Sequence, residues 1–375
     1  MLPLAQELQR LGHKVTIVAP PYTNPEDSGQ VETIGGVTVH NVELPKTRGA
    51  AASPALAWRM YRTAMAEQPD IVHLFKPKGY GGLAAMVLIL FSRIGIRQPA
   101  LFVDMDDWEG RGGMNDLHPY SPGAKAMFQF QEEWIPLHAR GVTVASRTLQ
   151  TKAWGMGIPL KRVLYLPNCV EDISPGDGHA ARQHLGIPAD APVLLLYTRF
   201  FEFSQDKLHF LFAEVYQRVP GVRLLVLGKG RNNEEELLLA KGGELGFAPA
   251  LVMGGWLEPA DIPFFLAAGD VAVYPFDDTL INRAKCPAKL TELLRAGVPV
   301  VADSVGQLAE YIKPAVSGLL CDTDNWQEMA DRAVELLMDP VRRGEVGMAG
   351  RNYLLERFAW RSHANRLNSF YAKIV

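Results

Sequence analysis

From one end of this chain to the other, short apolar runs of strand length alternate with stretches of helical periodicity, and that alternation restricts the fold more than any other feature. The runs lie at 15–19, 71–75, 101–103, 142–145 and 163–166, then at 193–197, 222–227, 252–253, 271–273 and 298–302. Strand, helix and strand in repetition build parallel sheets covered by helices. Between the two sets, residues 168–192 are rich in Pro, Gly, Asp and Ala. A chain of 375 residues is long enough for two cores. We therefore expect an α/β protein with a Rossmann-like domain over 1–170, a linker over 171–190 and a second such domain over 191–350. A final helix within 351–375, with Leu367, Phe370 and Tyr371 as an apolar stripe, is expected to pack back towards the first domain.

In open parallel sheets, ligands bind beyond the carboxyl ends of the strands. In the second half those ends carry Thr198-Arg199, Gly228-Lys229-Gly230, residues 275–278 and residues 303–306. In the first half they carry Pro20-Pro21, residues 76–82, the acidic run 104–109 followed by a glycine-rich stretch to Gly113, Ser146-Arg147 and Asn168. The two rims are expected to face each other across a cleft.

Residues 271–302, VAVYPFDDTLINRAKCPAKLTELLRAGVPVVA, hold the densest signal. A buried strand is followed by a polar loop with Arg283 and Lys285, and Pro287 suits a first helical position, so the helix is expected to open near Cys286. Leu290, Leu293 and Leu294 then face a core, while Lys289, Glu292 and Ala296 share another side. Gly297 ends the helix. A helix start with Arg283, Lys285 and Lys289 nearby suits a phosphate or diphosphate, and Glu292 suits sugar hydroxyls. The alternative is a solvated helix end with an ordinary surface glutamate.

Composition excludes several classes. The formal charge is −3, without the basic excess that marks nucleic-acid binding. Three cysteines, Cys169, Cys286 and Cys321, are widely spaced and fit no metal-ligand pattern, so a reducing, cytoplasmic setting is expected. The longest strongly apolar run, 83–91, is about half of what a spanning helix needs.

These residues, taken in order, resemble the retaining GT-B glycosyltransferases of family 4, also called glycosyltransferase group 1. LAQELQRLGHKVTIVAP at 4–20 is similar to the first helix and second strand of the family's N-terminal domain. VLYLPNCV at 163–170 is similar to the strand and Pro-Asn turn that closes it, and LVLGKG at 225–230 to the glycine turn that lets a nucleotide approach the backbone. Residues 290–302 resemble the segment by which the family is recognised. The resemblance implies two Rossmann-like domains facing across a cleft, a nucleotide-diphosphate sugar of UDP or GDP type as co-substrate, and no cofactor or metal. It implies that Glu292 holds the donor ribose and Arg199 the diphosphate.

The chain departs from the family pattern at four places. The usual lysine five residues after Arg199 is Ser204, with Lys207 the nearest downstream, which raises Lys285 or Lys289 as the second cation. The glutamate expected eight residues before Glu292 is Ala284, leaving Asp277 or Asp278 to take the sugar hydroxyls. The histidine that commonly follows the strand leading to the reaction centre is replaced by Asp104-Met105-Asp106-Asp107-Trp108-Glu109-Gly110. Asp106 or Asp107 is then expected to orient the acceptor hydroxyl or steady the developing positive charge, the alternative being that they cap the following turn. His73 and His118 read as structural. Finally, the chain opens directly on a helix, so the family's first strand and glycine-rich loop are expected to be missing.

The expected reaction is transfer of a sugar to an acceptor hydroxyl with retention, with Asp106, Asp107, Arg199 and Lys289 in the catalytic set. Gly228, Lys229, Gly230, Asp278, Arg283, Lys285 and Glu292 are expected at the donor. Two other readings stand beside it: a nucleotide-sugar-binding protein without transferase activity, and a nucleotide-sugar epimerase on the same fold. The acceptor is open among glycan, lipid-linked and small molecules. Lys46, Arg48, Trp58, Arg59 and Arg62 form a basic-aromatic stretch that suits either a peripheral contact with the inner face of a membrane or an ordinary solvated helix.

Overall fold

The computed structural model describes residues 1–46 and 49–374, so Arg48 lies outside the described residues. The chain forms two compact units. The first comprises Met1–Pro167, Ala284–Cys286 and the C-terminal segment from Trp360; the second comprises Asn168–Arg283 and Pro287–Ala359.

The first unit contains β1 (Thr16–Ala19), β2 (Val31–Ile34), β3 (Val37–Asn41), β4 (Ile71–Phe75), β5 (Ala100–Met105), β6 (Gly141–Val144) and β7 (Val163–Tyr165). Its helices are α1 (Leu2–Arg10), α2 (Ser53–Ala66), α3 (Gly79–Arg93), α4 (Pro122–His138) and α5 (Arg147–Gly155). The strands form two separate sheets. β4-β5-β6-β7 is wholly parallel, with His73 opposite Phe102 and Val103 opposite Val142. In β1-β3-β2, β3 runs parallel to β1 and antiparallel to β2. The β2–β3 hairpin turns at Gly35-Gly36, both at positive φ, a conformation glycine adopts without steric cost. This hairpin was not among the expected strands, because its outer strand is exposed along its whole length and carries no apolar run.

The second unit contains β8 (Val193–Tyr197), β9 (Arg223–Leu227), β10 (Leu251–Gly255), β11 (Val271–Tyr274), β12 (Val300–Asp303) and β13 (Leu319–Cys321). They form one parallel sheet in the order β10-β9-β8-β11-β12-β13. The order reverses direction at β8 and β11, and such a switch point opens a crevice at the strand ends. The helices are α6 (Gly178–His184), α7 (Gln205–Arg218), α8 (Glu234–Leu245), α9 (Ile262–Leu266), α10 (Leu280–Ala284), α11 (Ala288–Arg295), α12 (Leu308–Tyr311), α13 (Trp326–Met338) and α14 (Pro340–Arg357). Leu208, Leu211 and Phe212 of α7 and Met329, Ala333 and Leu336 of α13 close over Leu194, Leu224, Val226 and Val273. The stretch 171–190, expected as a linker, carries α6. There Arg182 pairs with Asp270 at 2.8 Å and donates to the Ala268 carbonyl at 3.0 Å, so most of this stretch is built into the second unit.

The last helix, α15 (Trp360–Ile374), belongs to the first unit. Its Ala364, Leu367, Phe370 and Tyr371 join Leu4 and Leu8 of α1 against Phe102 and Leu166 on one face of the four-stranded sheet. On the other face, Ala85, Leu88 and Ile89 of α3 and Ile135 of α4 cover Leu101 and Val103.

Candidate functional site

In the second unit the site begins where β8 ends. Thr198 turns inward and its hydroxyl accepts the Phe200 amide at 2.7 Å, while Phe200 sits at φ 65°. That tight exit throws Arg199 out to solvent, its guanidinium 5.3 Å from the ring centre of Trp256 at the end of β10. Gly228, at φ 117°, brings β9 so close that an added Cβ would lie 1.9 Å from the Thr198 carbonyl oxygen. Only glycine fits there.

On the other side of β8, α11 carries Lys289 and Glu292. The Lys289 ammonium lies 4.7 Å from the ring centre of Tyr197. The Tyr197 phenol donates to the Glu292 carboxylate. Burial pushes the Glu292 carboxyl above its ordinary range, with Tyr197, Lys289 and Arg295 pulling it down. Burial, then the neighbouring Glu292, raises the Tyr197 phenol. Tyr197, Thr198, Glu202, Tyr274 and Lys289 line one small recess. Arg199, Lys289 and Glu292 thus flank the same strand end. Tyr197, Glu202 and Trp256 join them without having been singled out in the sequence. The signal for Tyr197 was its place as the last residue before Thr198-Arg199.

Several expectations are corrected. The helix opens at Ala288 with Pro287 as its cap residue, one step later than the proline rule suggested. Arg283 and Asp278, both expected at the donor, are bound to each other through two hydrogen bonds, one of 2.6 Å, and both are exposed. Lys285 lies in the short segment Ala284–Cys286 that is grouped with the first unit. Lys207 is fully buried and holds Asp303 at 2.5 Å and the Thr323 carbonyl at 3.2 Å, so it braces β12. At the glycine turn, Gly230 N–H donates to Glu235 at 2.7 Å and Asn232 N–H to Glu234 at 2.7 Å. Lys229 is exposed. The start of α8 thus carries Glu234, Glu235 and Glu236, and a phosphate there would meet carboxylates rather than free amides.

In the first unit, the acidic run after β5 closes on two lysines. Lys76, in the left-handed region at φ 62°, reaches Asp107 at 3.0 Å, Asp106 at 3.4 Å and Glu109 at 3.5 Å. Lys78 holds Glu109 at 2.8 Å. Burial alone would lower the Lys76 ammonium, but the three carboxylates outweigh it and push it up. Burial raises Asp106, with Asp107 and Glu109 adding to the effect. Asp104 points inward to the Thr143 hydroxyl, and burial followed by Asp106 raises it to about 7. Burial, then Glu109 and Asp106, also raises Glu132 on α4, which is wholly enclosed. Asp106 and Asp107 are not the caps of the glycine-rich turn. That turn is held by Asp116 accepting the Gly112 amide at 2.8 Å and by the buried Trp108, whose indole donates to Arg111 at 2.9 Å. His73 is structural, its ring nitrogens 2.6 Å from the Tyr371 hydroxyl and 3.1 Å from that of Thr143. The His118 ring lies 5.3 Å from that of Tyr120, tilted against it.

Two family models meet on this chain: the glycosyl transferase 4-like domain over residues 1–169 and the glycosyl transferases group 1 domain over residues 191–339. The chain belongs to the GT-B glycosyltransferases of family 4. A D-inositol 3-phosphate glycosyltransferase of Segniliparus rotundus is 32% identical over 203 residues, covering 52% of this chain and 43% of that protein. A GDP-mannose-dependent monoacylated α-(1-6)-phosphatidylinositol monomannoside mannosyltransferase of Corynebacterium glutamicum is 28% identical over 199 residues, covering 52% and 51%. The chain thus spans about half the length of the curated relatives it matches. Among solved structures, sucrose-phosphate synthase from Thermosynechococcus elongatus has a TM-score of 0.75 at 18% identity, covering 99% of this chain and 91% of that one. Anabaena HepE in complex with UDP-glucose has a TM-score of 0.72 at 19% identity, covering 99% and 95%. At that identity the likeness establishes the fold of this family member.

Proposed function

We propose that this family member transfers a sugar, with retention, from a nucleotide-diphosphate sugar to an acceptor hydroxyl. The observation that carries the reading is the grouping of Arg199, Lys289 and Glu292 around the end of β8. A leaving diphosphate gains negative charge as the sugar gains oxocarbenium character, and fixed cations aimed at that charge lower the barrier. Arg199 and Lys289 supply the cations, and Glu292, oriented by Tyr197, accepts from the ribose hydroxyls. Asp106 and Asp107, held by Lys76 in the first unit, serve the acceptor hydroxyl. Names of relatives that are GDP-mannose-dependent favour a guanosine donor, and solved neighbours with UDP keep uridine in the test.

The test is thermal unfolding with UDP-, GDP- and ADP-sugars. A ligand at about 100 times its Kd stabilises the folded state by about 2.7 kcal/mol, and one donor class is expected to raise Tm. Arg199→Ala and Glu292→Ala are each expected to abolish the shift while unfolding normally without ligand. An unchanged shift in both variants removes this site from consideration. Nucleotide release on adding a sugar acceptor then separates transfer from binding alone, a reading that Ala284 favours. Interconversion of free nucleotide sugars without acceptor identifies an epimerase.

A further inference from the structure

We propose that Tyr371, His73 and Thr143 form a one-way chain of hydrogen bonds that ends on Asp104, and that Asp104 is a positioning residue for Asp106. All of these residues belong to the first unit. The link to Asp106 rests on the acceptor role given to that residue above; the chain itself does not.

The chain crosses the four-stranded parallel sheet. Thr143 of β6 lies opposite Asp104 of β5, and His73 of β4 stands on the other side of β5, opposite Phe102. Tyr371 reaches in from α15. Its hydroxyl lies 2.6 Å from His73 Nδ1, His73 Nε2 lies 3.1 Å from Thr143 Oγ1, and the Thr143 hydroxyl donates to Asp104 Oδ1. Phe75 and Phe102 lie 5.0 and 6.1 Å from the imidazole, and Phe102 meets the Tyr371 ring edge-on at 4.7 Å. Polar groups among apolar rings are costly unless each is paired.

Valence fixes the direction of the chain. An ionised Asp104 only accepts, so the single hydrogen of Thr143 points to it. Thr143 Oγ1 must then accept from His73 Nε2–H. Burial pushes the imidazole down to about 3, so the ring is neutral and its Nδ1 carries no hydrogen. Nδ1 in turn accepts from the Tyr371 hydroxyl. Every donor thus points towards Asp104, and bonds arranged in this way polarise one another.

Asp104 is buried, whereas the Asp106 side chain is 36% exposed at the rim. Asp104 is faced by Asp106, the Met1 amino group, Lys76 and, from α15, Tyr371. Asp106 is faced by Lys76, Asp107, Glu109, Glu132 and the Met1 amino group. Burial and the charge of Asp106 hold the Asp104 carboxyl at about 7, and the Thr143 donor opposes them. Ionisation of either aspartate raises the proton affinity of the other. Asp104, once ionised, therefore makes Asp106 a stronger hydrogen-bond acceptor for a substrate hydroxyl.

The experiment is an NMR titration of the full chain, with isotope-labelled histidine rings and aspartate carboxyls, beside the pH profile of nucleotide release. Above about pH 8, His73 is expected as the Nε2–H tautomer; the Nδ1–H tautomer overturns the chain. Thr143→Val and Tyr371→Phe each remove a donor, so the Asp104 midpoint is expected to rise, by about one pH unit in the first and by less in the second. A lowered melting temperature with that midpoint unmoved in both variants shows a merely structural role and also overturns the chain. The inflection of kcat at about pH 7 is expected to follow the Asp104 midpoint in both variants and to disappear in Asp104→Asn, with KM unchanged. An inflection that stays in place removes the positioning role. Absence of nucleotide release at any pH, with the midpoints moving as expected, ends the acceptor reading and the positioning role together while the chain stands.

Discussion

β4 and β8 are both five-residue apolar strands, yet every residue of β8 is buried and every residue of β4 is only partly so. β8 lies between β9 and β11, whereas β4 pairs with β5 on one side and, among the described residues, has no strand on the other. β1 is in the same position, pairing only with β3 and partly exposed throughout. Val15, Ile71 and Phe75 nevertheless pack on one shared cluster under α1 and α15. Side-chain packing thus holds together a layer whose backbone ladder is interrupted. Equal hydrophobicity therefore does not yield equal burial; the second neighbour does, by shielding both the backbone edge and the flanking side chains.

The sharpest way to break this comparison is to damage the well-formed sheet. Lys207→Met leaves Asp303 buried without its cation, and removing one partner of such a pair costs about 3–5 kcal/mol. Urea unfolding is expected to show that loss in the second unit with the first unit's transition unmoved. A uniform shift of both would show that the units do not unfold separately.

Acid probes the first unit. The His73 imidazole is pushed down by burial to about 3, while the unfolded chain titrates near its ordinary value of about 6.5. A depressed histidine means the unfolded state binds more protons between those values. Its contribution to stability is therefore complete above about pH 6.5 and is lost progressively as pH falls towards 3, on the order of 4–5 kcal/mol. His73→Gln is expected to flatten that acid limb in a pH series of unfolding midpoints; an unaltered slope assigns acid sensitivity elsewhere.

Gly228→Ala drives a Cβ towards the Thr198 carbonyl at a positive φ. It is expected to cost about 2 kcal/mol and to weaken nucleotide binding by displacing Arg199, both read in one thermal series with and without donor. At the small end, Arg283→Ala removes only an exposed pair with Asp278 and is expected to leave the melting temperature unchanged. A lost nucleotide shift in that variant would return Arg283 to the donor site.

The strand–helix alternation was legible because parallel strands buried on both faces read as uninterrupted apolar runs, as in 193–197, 271–273 and 298–302. Glu292 and Lys289 were legible because helical spacing puts them on the side away from Leu290, Leu293 and Leu294. The β2–β3 hairpin escaped because exposed strands carry no such run. Tyr197 and Glu202 escaped because nothing in their local pattern announces that α11 and the turn after β8 will close a recess on them.

Local periodicity and turn chemistry thus determined the α/β class, the positions of most strands and the rim where Arg199 emerges. Tertiary structure decided which charges are available. Lys207 is consumed by Asp303, and Arg283 pairs with Asp278. An ion pair depends on where two distant side chains meet, and sequence spacing carries that information only within a helix or a single turn.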